Sequence, residues 1–168
     1  MIFVVLGATG LILGFAHLAV QKQPRTRQRI ADTLLLYLFA FPIGLGGLIG
    51  FIGHTTRADS VAASIGWPAG NPFQSEVAVA NLAFGVLGLL CLRFRDGFWA
   101  ATAIGWSVFM LGAAAVHLHQ IRIGQPYAPD NAGAILYFNI VAPVCVLALL
   151  VVRKARQTSA TPGAKESP

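Results

Sequence analysis

Four ionisable side chains near the ends of long apolar runs are of the types that carry chemistry: His54, Glu76, His117 and His119. Imidazole nitrogens bind transition metals such as zinc, copper, iron and nickel, and histidine is a common axial ligand of haem iron. A carboxylate beside a histidine can instead act as an acid–base pair. The chain contains no GxSxG, HExxH, P-loop or GxGxxG pattern, so the residue types alone leave the reaction open.

The elements that must position these residues are membrane-spanning helices. Only 11% of the 168 residues are charged and the mean hydropathy is +0.69, which excludes an ordinary soluble domain. A bilayer core is crossed by about 20 apolar helical residues. The apolar runs of that length are roughly Ile2 to Val20, Thr33 to Ile52, Pro72 to Leu92, Phe98 to Leu118 and Ala132 to Val152. We therefore expect an all-α transmembrane bundle of five helices over residues 1–152, and a disordered polar tail over 153–168.

The cations predict the orientation of this bundle. Ten of the twelve Lys and Arg residues follow the first, third and fifth spans, and only Arg57 and Arg122 lie in the other two connections. The positive-inside rule then places the N-terminus outside and the C-terminus in the cytoplasm of the cell (inner) membrane. The lipid bilayer thus accounts for the net charge of +6 without nucleic acid as a partner. His54, Glu76 and the two histidines of the fourth span all fall at the outer face.

The outer connection between the second and third spans, residues 53–75, contains helix-start and helix-stop signals that are typical of an ordered loop. Thr56 and Asp59 have the spacing of a capping box, and an apolar stripe of one short helix follows. Gly66 can end that helix. These signals predict a short interfacial helix between helices 2 and 3, with Trp67 at headgroup level.

The third span has an equally well-marked start, because Asn71 can cap it and Gln74 can reach back from its third position. The segment GWPAGNPFQSE resembles a GWPxGxPFQxE loop of small, functionally uncharacterised prokaryotic multipass membrane proteins. The resemblance covers roughly His54 to Gly88 and implies no activity. Its motif positions here are His54, Trp67, Pro68, Gly70, Pro72, Phe73, Gln74, Glu76 and Asn81.

Small residues at helical spacing predict which faces of the helices pack, because membrane helices associate by close backbone approach. The stripes are Gly7, Gly10, Gly14 and His17; Gly46, Gly50 and His54; Ala78, Asn81, Gly85 and Gly88; and Gly105, Gly112 and His119. His17, Asn81 and Asn139 are interpreted as interhelical polar contacts. Pro42 and Pro143 each remove a helical hydrogen bond and are expected to kink the second and fifth helices.

The two histidines of the fourth span cannot both face one site while the helix continues, since residues two apart point about 200° away from each other. The glycine stripe favours His119 as the packed one, and His117 stays possible. Both also fit interface histidines in contact with water. Glu76 equally fits a carboxylate that stabilises a helix N-terminus.

Several function classes therefore stay open. The most concrete is an outer-facing pocket that binds a metal ion or haem through His54, Glu76 and His117 or His119. A second is a non-catalytic membrane subunit or scaffold that docks a protein partner, or a second copy of itself, through the outer loop. A small-solute or proton-coupled transporter and an enzyme acting on lipid are the remaining classes.

Overall fold

The computed structural model describes residues 1–124, 128 and 130–154. Within these residues every regular element is helical, and five helices are long and apolar enough to cross a membrane. They are Ile2–Val20, Arg27–Thr56, Phe73–Leu90, Gly97–Arg122 and Ala134–Lys154. This confirms the predicted all-helical class and the five spans. The second span begins earlier than predicted.

The helices are labelled in chain order. They are α1 (Ile2–Val20), α2 (Arg27–Leu38), a π-helix (Phe39–Leu45), α3 (Gly46–Thr56), α4 (Ala58–Ile65), α5 (Phe73–Leu90), α6 (Gly97–Arg122) and α7 (Ala134–Lys154). α2, the π-helix and α3 follow one another without interruption and form the second span. Because α7 runs to Lys154, it extends slightly past the expected boundary at residue 152. Residues 155–168 lie outside the described residues, so the disordered tail stays a prediction.

The two intramembrane prolines have different consequences. Pro42 lies inside the π-helix. Proline has no backbone N–H to donate, and the wider π-helical turn accommodates the missing hydrogen bond. The regular α-helical pattern is therefore interrupted where the sequence predicts a kink. Pro143 lies within α7, which stays α-helical from Ala134 to Lys154.

The tightest helix packing joins α3 and the π-helix to α5. A Cβ atom on Gly47 would lie 2.5 Å from the backbone oxygen of Asn81 and 2.5 Å from the backbone nitrogen of Gly85. A Cβ atom on Gly88 would lie 2.6 Å from the backbone nitrogen of Gly44. These contacts agree with the predicted glycine faces of the second and third spans, because only residues without side chains let two backbones approach so closely.

The predicted stripe of the fourth span is wrong. A Cβ atom on Gly112 would meet nothing within 4 Å, and His119 is exposed. α6 instead buries its two tryptophans, Trp99 and Trp106, in a core that includes Phe39 and Val146. Bulky aromatic side chains, rather than small residues, therefore determine which face of α6 packs.

The bundle has two polar ends. At one end, called the basic end here, α1, α5 and α7 finish and α2 and α6 begin. Contacts of Arg153 with Asp32 and Asp96 show that three of these termini meet. The opposite end, called the loop end here, carries α4 and the connection between α6 and α7, which are joined by a hydrogen bond from the backbone nitrogen of Asp130 to the backbone oxygen of Ser64 (3.0 Å).

Candidate functional site

The connection between α3 and α5 at the loop end is held in shape by its own hydrogen bonds. Gly66 has a φ of 81° and ends α4, as predicted, and the backbone nitrogen of Trp67 then donates to the oxygen of Ala62 at 2.8 Å. The Asp59 carboxylate accepts a 2.8 Å hydrogen bond from the backbone nitrogen of Gly70. This bond closes the loop over the helix and gives it a defined surface.

The predicted capping box at the start of α4 is wrong. The Thr56 hydroxyl donates to the backbone oxygen of Ile52 at 2.7 Å, because Thr56 still belongs to α3. The Asp59 carboxylate is engaged by Gly70 instead of reaching back. α4 therefore begins at Ala58 with no side-chain cap.

His54 and Gln74 link the end of α3 to the start of α5. The distance from His54 Nδ1 to Gln74 Oε1 is 2.6 Å, and Gln74 is only 3% exposed. Since the amide oxygen can only accept, the imidazole donates from Nδ1. The prediction that Gln74 caps its own helix is thus wrong, because a histidine on another helix binds its amide. Asn71 does hold this helix start, accepting from the backbone nitrogen of Phe73 at 2.9 Å.

The remaining positions of the loop motif lie on its surface. Pro68, Gly70 and Pro72 are exposed, and Phe73 is 49% exposed. Trp67 is half-buried and packs against Phe73, with their ring centroids 6.1 Å apart. Glu76 is exposed in the first turn of α5, where its charge complements the helix dipole.

His117, rather than His119, is the packed histidine of α6. His117 Nδ1 donates to Asn131 Oδ1 at 2.6 Å, and both residues are buried. His119 is exposed. The expectation from the glycine stripe is therefore wrong, because His117 has a buried amide acceptor in the connection that leads into α7. Because Asn131 lies outside α6, the spacing of residues within α6 could not predict this hydrogen bond.

We expect Asn131→Ala to destabilise the protein by about 1–3 kcal/mol, because it leaves the buried His117 ring without its acceptor. Thermal unfolding of the detergent-solubilised protein measures the effect. The matched control is His119→Ala, an exposed histidine on the same helix, which is expected to change the midpoint little. Equal shifts for the two variants would show that the His117–Asn131 hydrogen bond contributes nothing specific.

The four predicted ligand residues are not assembled into one metal centre. Among the residues that the structure describes, no group of three or more His, Cys, Asp or Glu side chains is placed to hold a metal ion. His54 and His117 each bind an amide oxygen, and Glu76 and His119 are exposed. His54 therefore links α3 to α5, and His117 links α6 to the connection that leads into α7.

The residues expected to make interhelical contacts differ in what they bind. His17 donates from Nδ1 to the hydroxyl of Tyr37 at 3.1 Å, across the contact between α1 and α2. Asn81 packs on Gly50 of α3, but its amide donates to the Val77 oxygen of its own helix at 2.9 Å. Asn139 is buried within α7. His17 thus makes the interhelical hydrogen bond that its glycine stripe suggests.

The most strongly charged cluster of the structure was missed by sequence reasoning. At the basic end, Arg153 donates from Nε to Asp32 Oδ1 and from a terminal nitrogen to Asp96 Oδ1, both at 2.7 Å. Its guanidinium lies 5.1 Å from the centroid of Trp99, which itself donates to the backbone oxygen of Cys91 at 2.8 Å. One arginine therefore joins α2, α7 and the connection between α5 and α6.

A backbone conformation supports this cluster. Asp96 has a φ of 56°, the only positive φ of a non-glycine residue in the described part of the chain. Such a conformation costs free energy and persists when surrounding contacts require it. In this conformation the Asp96 carboxylate forms its ion pair with Arg153. The sequence could have indicated this cluster, because two acidic residues, Asp32 and Asp96, lie beside the cations of the basic end.

The chain has five apolar spans, and polar side chains connect its segments at both ends of the bundle. These features define it as a multispanning helical membrane protein. Over residues 1–159 the sequence matches DUF6790, a family of unknown function, and the chain belongs to that family. Neither a curated protein nor a solved structure is significantly similar to it.

Proposed function

We propose that this protein is a non-catalytic membrane subunit or scaffold that docks a protein partner through its outer loop, residues 53–75. The observation that carries the proposal is that the half-buried His54 and the buried His117 each bind an amide oxygen of the protein itself. Gln74 lies in the first turn of α5 and Asn131 lies in the connection that leads into α7, so each imidazole links its helix to another part of the chain. An active or metal site would instead need such groups to converge on a shared ligand.

The shape of the loop favours recognition. The Asp59–Gly70 hydrogen bond, the left-handed turn at Gly66 and the packing of Trp67 on Phe73 hold it in one conformation. A preorganised loop loses little conformational entropy on binding, so more of the contact energy becomes affinity. Its tip presents an apolar surface that the other loop-end residues do not cover, formed by the exposed residues Pro68, Ala69, Gly70, Pro72 and Phe73.

The same proposal includes an orientation. By the positive-inside rule we infer that the basic end is cytoplasmic and that the loop end lies on the outer side of the cell (inner) membrane. The half-buried Trp67 then lies at headgroup level, and α4 lies along the outer interface. A partner of this loop is accordingly an extracytoplasmic segment of another membrane protein or of a second copy of this chain.

Photo-crosslinking in the native membrane tests the proposal. A photoreactive amino acid is placed at Ala69, on the loop tip, or at Gln23, which is also exposed but lies at the basic end. We expect a discrete protein adduct from position 69 and none from position 23. Replacing residues 58–65 by a Gly-Ser segment of equal length is expected to reduce the adduct at least tenfold, whereas Glu76→Ala retains it.

Two results would contradict the scaffold proposal. The first is an identical adduct pattern from positions 69 and 23, which would show that the loop has no specific partner. The second is stoichiometric metal by elemental analysis, or a Soret band, in the purified full chain, which would favour the metal or haem hypothesis. An adduct of twice the chain's mass supports the homo-oligomeric form of the proposal.

A further inference from the structure

An apolar cleft lies at the basic end, between the last turns of α1 and the first turn of α2. Its volume is about 240 Å³. The lining residues are Phe15, Leu18, Ala19, Arg25 and Ile30. Four of these side chains are apolar, and the fifth is that of Arg25, which belongs to the connection between the two helices. This combination suits a molecule with a hydrocarbon chain and an anionic group.

The charge around the cleft favours an anion. Arg25 lies in a connection rich in cations, and α2 begins with Arg27 and Arg29. Among the residues that the structure describes, the two carboxylates of the basic end, Asp32 and Asp96, both bind Arg153. Within the described residues Arg25 forms no ion pair, so its guanidinium is available to a phosphate, with which arginine forms paired hydrogen bonds.

The walls of the cleft are fixed by a chain of hydrogen bonds outside it. Arg29 donates from Nε to Gln21 Oε1 at 2.8 Å, and the amide nitrogen of Gln21 donates to His17. Thr26 caps α2 by accepting from the backbone nitrogen of Arg29 at 3.2 Å. Gly14 of α1 packs directly on Leu34 of α2. The cleft therefore exists before a ligand arrives, which lowers the cost of binding.

We propose that this cleft is a binding site for one anionic phospholipid of the leaflet at the basic end. The upper part of an acyl chain lies along Phe15, Ala19 and Ile30, and the phosphate binds Arg25. The bilayer is the source of the ligand, because the apolar walls lie on a membrane-spanning helix and Phe15 is 56% exposed on it. The proposal does not depend on the outer loop or on its partner.

Titration of the delipidated full chain in detergent with phosphatidylglycerol, followed by native mass spectrometry, tests this site. We expect one phosphatidylglycerol to bind more tightly than phosphatidylcholine. Arg25→Gln is expected to weaken phosphatidylglycerol binding about fivefold, the effect of one cation at a membrane surface. The matched control is Arg57→Gln, an exposed arginine at the loop end, which is expected to leave the affinity unchanged.

A second variant distinguishes lipid binding in the cleft from non-specific electrostatic attraction of lipid to a charged surface. Ala19→Trp fills the cleft without altering any charge and is expected to reduce lipid binding at least tenfold. Equal binding of the two lipids, equal effects of Arg25→Gln and Arg57→Gln, or unchanged affinity in a folded Ala19→Trp protein would each overturn the proposal. Inorganic phosphate that displaces the lipid at equal concentration would overturn it too, by showing that the acyl chain contributes nothing. If Ala19→Trp fails to fold, the exposed Arg25 and Arg57 variants still decide the question.

Discussion

Replacing Arg153 with alanine is expected to destabilise the protein by about 1–3 kcal/mol, because it removes two charge-assisted hydrogen bonds whose carboxylate partners are partly or largely exposed. The side chain of Arg153 is 7% exposed and binds both Asp32 and Asp96. Alanine leaves the partly buried carboxylate of Asp32 uncompensated and opens space beside Trp99. The measurement is the midpoint of thermal unfolding, or the monodisperse fraction, of the purified protein in detergent.

The neighbouring residues provide the controls for Arg153→Ala. Lys154→Ala removes an exposed cation from the same helix and is expected to have little effect. Asp32→Asn is expected to cost more than Asp96→Asn, since their side chains are 32% and 77% exposed. Combining Arg153→Met with Asp32→Asn removes both charges and should recover part of the loss. Similar midpoints for Arg153→Ala and Lys154→Ala would refute a stabilising role for the ion-pair cluster.

Gly47→Ala is expected to be about as damaging as the loss of Arg153. The added methyl would lie 2.5 Å from the backbone oxygen of Asn81 and 2.6 Å from the Cα atom of Gly85, so no side-chain movement relieves the clash. α3 and α5 must therefore separate along their contact. Overpacking of this kind costs about 1–3 kcal/mol or more. Thermal unfolding in detergent measures the loss.

Gly112→Ala is the matched control for Gly47→Ala, because a Cβ atom at residue 112 meets nothing within 4 Å. This change is expected to be neutral or to stabilise α6 by up to about 1 kcal/mol, since alanine is the better helix former. If Gly47→Ala and Gly112→Ala unfold at the same temperature, the close approach of α3 and α5 is not what holds these helices together.

The parts of the fold that were predictable depend on local regularities. A run of about 20 apolar residues is sufficient to identify a span, and glycines spaced three and four apart identify one face of a helix. This reasoning identified the faces around Gly10 and Gly50 that pack on neighbouring helices. It failed for Gly112, because α6 packs through large aromatic residues and its glycines are not needed for close approach.

The parts that were not predictable depend on partners far apart in the chain. His54 and Gln74 are 20 residues apart, and Arg153 and Asp32 are 121 apart. Spacing rules compare residues within one helix, so they assigned Gln74 to a cap that a tertiary partner displaced. His117 was underrated for the same reason, because its acceptor, Asn131, lies in the connection that follows α6.

The π-helix around Pro42 also changes the phase of the second span. A π-helical turn contains about one residue more than an α-helical turn, so the face that α2 presents does not continue in line along α3. Thr33, Leu34 and Leu35 are buried in α2, where the span meets α1 and α7, whereas Gly47 and Gly50 are buried in α3 against α5. One continuous membrane crossing can therefore serve two sets of neighbours on different sides, and the number of residues between Phe39 and Leu45 sets the angle between them.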